Sequence, residues 1–164
     1  DNEVSNPEIA LDIDSFVEQM ADNEILLLRL HPHVAANFSS DQWDRWSGRI
    51  YNMSDYKGVT TLLAVSDCLI TDYSSIVFEY CLLGKKMIFY AYDLEQFTKN
   101  GRSFYEDYES FVPGPVAHDQ SELEKIYQDD CVDTERIEKF RREMFAYLDG
   151  NATNRLLQLI FAEK

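Results

Sequence analysis

Two adjacent serines, Ser74 and Ser75, end the stretch TDYSS, which interrupts an apolar sequence running from Asp67 to Asp93. They stand where the pattern changes from a buried strand to an amphipathic helix. The first turn of a helix offers unpaired backbone N–H groups and the positive end of the helix dipole. Phosphates bind there readily, and small side chains let them approach the backbone. The same two serines also suit plain helix capping, and the motif alone leaves both readings open. Glu79 lies one turn further on and breaks the otherwise apolar IVFEYCLL. Its carboxylate could accept hydrogen bonds from ribose hydroxyls or simply face solvent. Thr71 closes the strand. Asp72 is suited to bonding its own turn backbone. Asp93 ends the following strand, where it could support the site or cap the next helix.

A second set of chemistry-bearing residues lies in LRLHPH. On a strand's alternation Arg29 and His31 face the same way, with Leu30 between them, and Pro32 ends the strand. A guanidinium grips phosphate. An imidazole can act as general acid or base, or hold phosphate as imidazolium. A purely structural histidine is the alternative. His33 lies beyond the proline, where alternation no longer defines a direction.

These side chains need a scaffold that gathers strand ends. The pattern predicts a helix over 12–22, a strand over 24–32, a short helix over 39–46 and a strand over 49–54. It continues with a helix over 55–66 started by an Asp cap, a strand over 67–71, a helix over 74–84 ending at Gly84, and a strand over 86–92. Residues 93–116 form a mobile-looking stretch, rich in aromatic and acidic residues, that closes in Pro-Gly-Pro. Helical patterns follow over 119–129, 134–148 and 151–164. Short apolar strands alternating with amphipathic helices predict an α/β fold: a Rossmann-like parallel sheet with helices on both faces and right-handed crossovers. Ligands of such sheets bind beyond the carboxyl ends of the strands. The polar ends RLHPH, NMSD, TDYSS and YAYD are therefore expected along one edge.

The 164 residues suffice for one domain with a real core. A hydrophobic content of 45% and a charged content of 27% are ordinary for a globular chain. No apolar run approaches the roughly 20 residues of a membrane span, and the first residues lack a signal-peptide layout, so a cytoplasmic location is expected unless a leader has been removed. A net charge of −15 argues against nucleic-acid partners and against electrostatic attachment to an anionic membrane. Cys68, Cys81 and Cys131 are odd in number and form no CxxC pair, which predicts buried free thiols in a reducing compartment. With His31, His33 and His118 they make too sparse a set for zinc. Neither a metal nor a cofactor is expected.

Together these blocks resemble the CDP-glycerol glycerophosphotransferases, the teichoic-acid primases and polymerases of bacteria. RLHP (29–32) matches that family's Arg-x-His-Pro strand end, and SDCLITDYSS (66–75) matches its SD-x-LITDYSS nearly letter for letter. An acid follows in the helix at Glu79. KKMIFYAYD carries lysine for the usual proline, and RSFYEDYESFVPGP carries serine where glycine is common. DGNATNR (149–155) is similar to a late Asp-Gly-x-x-x-x-Arg element. The resemblance covers roughly 24–155. It implies one half of a GT-B-type architecture: residues 1–164 as a single Rossmann-like domain, the C-terminal, donor-binding half of a larger two-domain enzyme. The other half would supply a second essential histidine and the acceptor contacts.

The implied reaction is attack by a polyol-phosphate acceptor hydroxyl on the glycerol-bearing phosphorus of CDP-glycerol, with CMP leaving. Such transfers depend on positioning and charge neutralisation. By resemblance, His31 would be catalytic, and Arg29, Leu30 and His31 would contact the donor. Ser74 and Ser75 would hold phosphate, Glu79 would take the ribose, and Thr71, Asp72 and Asp93 would support them. The parent enzyme would work at the inner membrane face as a peripheral protein. A relative using another donor, such as CDP-ribitol, would show the same motifs in this half. A non-enzymatic receiver-like module would need an acidic pair after its first strand, where this chain has RLHPH. The aromatic run from Phe104 to Tyr108 suits either a lid or a packing flap.

Overall fold

A computed structural model describes residues 9–35, 43–99, 104 and 106–161. Along them run α1 (Ile13–Gln19), β1 (Leu26–Leu28), α2 (Pro32–Ala35), β2 (Ile50–Asn52), α3 (Val59–Val65), β3 (Cys68–Thr71) and α4 (Ile76–Tyr80). There follow β4 (Lys86–Tyr90), α5 (Leu94–Lys99), α6 (Tyr108–Phe111), β5 (Val116–Ala117), α7 (Gln120–Gln128), α8 (Thr134–Met144) and α9 (Ala152–Phe161). Every strand pairing among the described residues is parallel. β1 aligns Leu26 with Ile50 of β2, β3 aligns Cys68 with Lys86 of β4, and β4 aligns Phe89 with Val116 of β5. Hydrogen bonding divides the strands into a β1-β2 pair and a β3-β4-β5 sheet.

Strand alternation explains how both pieces are covered. Met87 and Phe89 of β4 point into a cluster with Leu63, Val77, Tyr80, Ile137 and Phe140, contributed by α3, α4 and α8. Ile88, between them, points the other way, into a cluster with Phe16, Val17, Leu28, Ala117 and Leu123. Cys68 and Ile70 join this second cluster while Leu69 joins the first. The second cluster also takes Leu26 and Leu28, so β1 shares one apolar layer with the other sheet, beneath α1 and α7. A run buried on both faces is what helix-covered parallel strands require.

Part of the acidity is local structure. Asp12, Asp107, Asp119 and Asp133 each accept a backbone N–H at the start of a helix, from Ser15, Ser110, Glu122 and Arg136, at 2.9–3.1 Å. At Gly84 and Gly114 the geometry requires glycine. Gly84 ends the helical run with φ +65. A Cβ on Gly114 would lie 2.4 Å from the Met87 carbonyl oxygen, because the Pro-Gly-Pro turn presses against β4 to deliver β5.

The structure corrects several expectations. β1 is hydrogen-bonded only over 26–28, so Arg29, Leu30 and His31 lie past its end. α3 begins at Val59 behind Gly58, with no side-chain cap, and not at Asp55. The helix after TDYSS is α over 76–80 and then tightens to a 3-10 turn over Cys81–Leu83. Of the short helix expected over 39–46, only the 3-10 turn Asp44–Trp46 falls within the described residues. Within the mobile-looking stretch 93–116, the described residues hold α5, α6 and the first residue of β5. Cys131 is exposed, unlike buried Cys81, and all three thiols are free. Burial pushes the Cys68 thiol up to about 11.

Candidate functional site

β3 delivers TDYSS at its carboxyl end. Thr71 is its last paired residue, opposite Phe89. Ser74 and Ser75 are both exposed. Ser75 occupies the N-cap position of α4 yet forms no side-chain cap bond, and its backbone is already helical. Ser74 Oγ accepts only a long contact from the Ile76 amide, at 3.4 Å. Capping therefore explains little of this pair, and both side chains are open to solvent at the helix start. Glu79 is exposed on the same helix.

The turn itself is held from two sides. The Tyr108 hydroxyl donates to the Asp72 carbonyl oxygen at 2.9 Å, and the Tyr73 hydroxyl donates to Asp93 Oδ1 at 2.8 Å. The Tyr73 ring stacks on Phe97 with centroids 4.0 Å apart, and Phe104 and Tyr108 complete the aromatic cluster. Desolvation and the Asp93 hydrogen bond raise the Tyr73 pKa far above the phenol range, and desolvation does the same for Tyr108, so both stay neutral donors. The Asp72 carboxyl is raised chiefly by the protein crowded around it, although the residue keeps solvent contact, and the charge of Asp93 adds to this. The nearby amides of Asp72, Tyr73 and Ser74 pull the other way. The Asp72 carboxyl stands close to the amides of its own turn, a setting its residue type suits.

The second strand end is built differently. Leu30 turns its side chain into the core layer shared with Ile70 and Ile88, and its amide donates to Ser54 Oγ at 3.1 Å. Arg29 and His31, on either side, are exposed, so the in–out alternation persists beyond the hydrogen-bonded strand. Arg29 Nη1 donates to the carbonyl oxygens of Tyr56 at 2.7 Å and Met53 at 3.3 Å. These contacts orient the guanidinium and fasten the loop after β2 without supplying a negative charge to neutralise it. The His31 carbonyl accepts the amides of Val34 and Ala35, at 2.8 and 2.9 Å, which starts α2 on the far side of Pro32.

The predicted edge thus forms in two tied pairs. The ends of β1 and β2 are joined through Arg29 and Ser54, and those of β3 and β4 through Tyr73 and Asp93. Leu30, Ile70 and Tyr90 in one apolar cluster link the two pairs through the core. Sequence reasoning missed the Tyr73–Asp93 and Tyr108–Asp72 bonds. The available signal was a tyrosine inside the turn and a run of aromatics after α5 with no periodicity. A separate groove of about 410 Å³ opens between α6 and α8, lined in part by Phe111, Arg136, Lys139 and Arg142. Arg136 there is committed to the Glu109 carbonyl. Among the described residues no group of three or more His, Cys, Asp and Glu is assembled that could hold a metal ion, and no helix is long and apolar enough to cross a membrane.

Comparison with known proteins places this geometry in a family. The chain is 36% identical over 155 residues to the teichoic acid poly(ribitol-phosphate) polymerase of Bacillus spizizenii, covering 94% of this chain and 25% of that one. It is 34% identical over 157 residues to a teichoic acid glycerol-phosphate transferase of Staphylococcus aureus, covering 93% and 39%. Its fold superposes on the wall teichoic acid polymerase TagF, in a histidine variant soaked with CDPG, with a TM-score of 0.78, 29% identity, and coverage of 96% of this chain and 39% of that one. The chain thus spans between a quarter and two fifths of these relatives, and its α/β fold is that of the matching part of TagF. The model of the CDP-Glycerol:Poly(glycerophosphate) glycerophosphotransferase family matches residues 1–162, and the chain belongs to that family.

Proposed function

We propose that this chain is the donor-binding half of an enzyme that moves glycerol phosphate from CDP-glycerol to a teichoic-acid-type acceptor hydroxyl and releases CMP. The observation that carries this is the pair of uncapped serine hydroxyls at the start of α4, inside a sequence block that matches the family's own, on a turn held by two hydrogen bonds. In this reading Ser74 and Ser75 hold donor phosphate and Glu79 receives the ribose hydroxyls. Arg29 supplies an oriented, uncompensated positive charge, and His31 transfers a proton or stabilises the departing charge. Thr71, Asp72 and Asp93 shape the turn. Leu30 has its side chain in the core, so its contribution is its backbone carbonyl.

A second half would complete the cleft. Two facts support that: the chain spans 25% and 39% of the relatives described above, and α9 exposes Leu156, Leu159, Ile160 and Phe161, from 56% to 81%. Work at the cytoplasmic membrane face would depend on other parts of such a protein, since this surface is strongly acidic.

The test is calorimetric titration with CDP-glycerol together with a CMP-release assay. Weak binding without turnover by this chain is expected. Ser74→Ala with Ser75→Ala should weaken binding by about 1–3 kcal/mol, because hydrogen bonds to charged groups are worth roughly 1.5–3 kcal/mol each before water compensates. Stability should change by less than the roughly 1 kcal/mol that a lost serine cap costs, since Ser75 makes no cap bond and Ser74 only a long one. Clear turnover by this chain alone would refute the half-site reading, and unchanged affinity in the double variant would refute the serine assignment.

A ribitol-phosphate donor is the second reading, favoured by the 36% identity to the Bacillus spizizenii ribitol polymerase. Because this half would read the shared cytidine diphosphate, CDP-ribitol and CDP-glycerol should bind it within a few-fold of one another. Transfer assays on the complete enzyme decide between them.

A further inference from the structure

The aromatic run after α5 reaches the TDYSS turn through a hydrogen bond from Tyr108. Tyr108, the first residue of α6, is buried. Its ring packs edge-on against Tyr73 and Phe89, with centroids 5.2 and 6.3 Å away, and lies 4.9 Å from Phe104. Its hydroxyl ends on the Asp72 carbonyl, two residues before Ser74. Tyr73 immediately precedes the serines, and its hydroxyl ends on Asp93, at the junction of β4 and α5. Asp93 is fixed in turn, since its carbonyl accepts the Phe97 amide at 2.9 Å, and Phe97 stacks on the Tyr73 ring. The turn is therefore pinned at consecutive residues from two separate elements.

A buried hydroxyl that meets a backbone carbonyl constrains the backbone itself, which a side-chain contact does not. A stacked ring with its oxygen anchored likewise loses freedom about both side-chain torsions. Four residues between a strand and a short helix could otherwise adopt several turn geometries, each aiming the serines differently. A phosphate held by two hydroxyls and a helix-start amide requires one of them.

We infer that Tyr108 and the Tyr73–Asp93 pair are positioning residues: a two-point hydroxyl clamp that fixes the backbone of the β3–α4 turn so that Ser74 and Ser75 converge on donor phosphate. This rests on the donor-site reading and goes beyond it by naming what orders the site and by giving the aromatic run a task. None of the three residues needs to touch the donor. Each acts through the backbone that carries the serines. The conservative Tyr108→Phe and Tyr73→Phe keep every ring contact and delete one hydroxyl each. Asp93→Asn keeps an acceptor oxygen for Tyr73.

The test has two arms. In amide hydrogen exchange on the wild-type chain and on Tyr108→Phe, the amides of Tyr73, Ser74 and Ser75 should exchange about 3- to 10-fold faster in the variant, the span of one neutral hydrogen bond, while those of β4 hold. Unchanged exchange at the turn overturns the clamp, whatever the donor does. In the second arm CDP-glycerol is titrated into the wild type, Tyr108→Phe, Ser74→Ala/Ser75→Ala and the triple variant. Tyr108→Phe should weaken binding about 3- to 10-fold in the wild-type background and have no further effect once the serines are gone. Tyr73→Phe should behave like Tyr108→Phe, and Asp93→Asn, which keeps an acceptor oxygen, should lose less binding than Asp93→Ala. A Tyr108→Phe effect that persists without the serines overturns the clamp and leaves the donor site standing. Loss of the serines without consequence for binding overturns the donor site, and with it the clamp's purpose.

Discussion

At the scale of single residues, the informative contrast is between Arg29 and His31. Both were legible as a pair from alternation, and both are exposed on either side of inward-facing Leu30. What alternation did not convey is that the guanidinium has two tasks. It fastens the 53–56 loop through carbonyl oxygens, and its charge stays available because no carboxylate among the described residues pairs with it there. Arg29→Ala should therefore weaken CDP-glycerol binding roughly tenfold or more, the worth of one charge-assisted hydrogen bond, and also loosen that loop. Arg29→Lys should keep part of the affinity, because an ammonium retains the charge but lacks the planar fork. Titration of both variants checks this, and equal loss in the two would make geometry, not charge, the requirement. In the complete enzyme His31→Ala should lower turnover by about 10²–10⁴-fold, the range for removing a positioned acid or base, with little change in donor affinity. A single-turnover assay separates the two, and a fall in affinity at unchanged turnover would recast His31 as a binding group.

At the scale of elements, the late DGNATNR motif is a helix fastener. Asp149 pairs with Arg155 through two bonds, at 2.9 and 3.0 Å, and accepts the Asn151 amide, while Arg155 lies over the Tyr147 ring. Arg155 holds the Asp149 carboxyl down to about 2, from an ordinary 3.8. A depressed carboxylate adds stability that is present above its unfolded value and is lost as pH falls through the folded one. The start of α9 should therefore fray between about pH 4 and 2, and Asp149→Asn should fray it already at neutral pH and remove that acid step. Far-UV circular dichroism against pH reads both, and an unaltered acid profile in the variant would show that the pair does not hold the helix. Gly114→Ala should cost about 1–3 kcal/mol in chemical denaturation, because its Cβ meets the Met87 carbonyl. Most of these elements could be read in advance. The apolar runs of β3 and β4 are local signals, whereas the caps at Asp107, Asp119 and Asp133 went unread. β5 was not legible, because two residues carry no period and Val116–Ala117 becomes a strand only through the approach of Gly114 to β4. The ends of β1 were over-extended because the apolar run outlasts the hydrogen bonding. Tyr108 escaped because its partner, the Asp72 carbonyl, is 36 residues away, and local pattern does not report non-local pairing.

At the scale of the molecule, a chain of net charge −15 is read here as a binder of a diphosphate. The overall field opposes such a ligand, so affinity must come from short-range groups: two hydroxyls, helix-start amides and one oriented guanidinium. Binding should accordingly tighten as ionic strength rises toward about 0.15 M, where the Debye length shortens to about 8 Å and screens the distant acids before the contacts in the site. A titration series in salt shows the direction, and steady weakening with salt would indicate a net attractive field instead. The groove beside α8, where Arg136, Lys139 and Arg142 stand among Asp133, Glu135 and Glu143, is the rival place for the nucleotide. A crystal structure of this chain with CDP-glycerol separates the two most directly. The diphosphate is expected within about 2.7–3.2 Å of the Ser74 and Ser75 hydroxyls, with Arg29 turned toward it. A nucleotide ordered in the α6–α8 groove, with the serines unoccupied, would contradict the account.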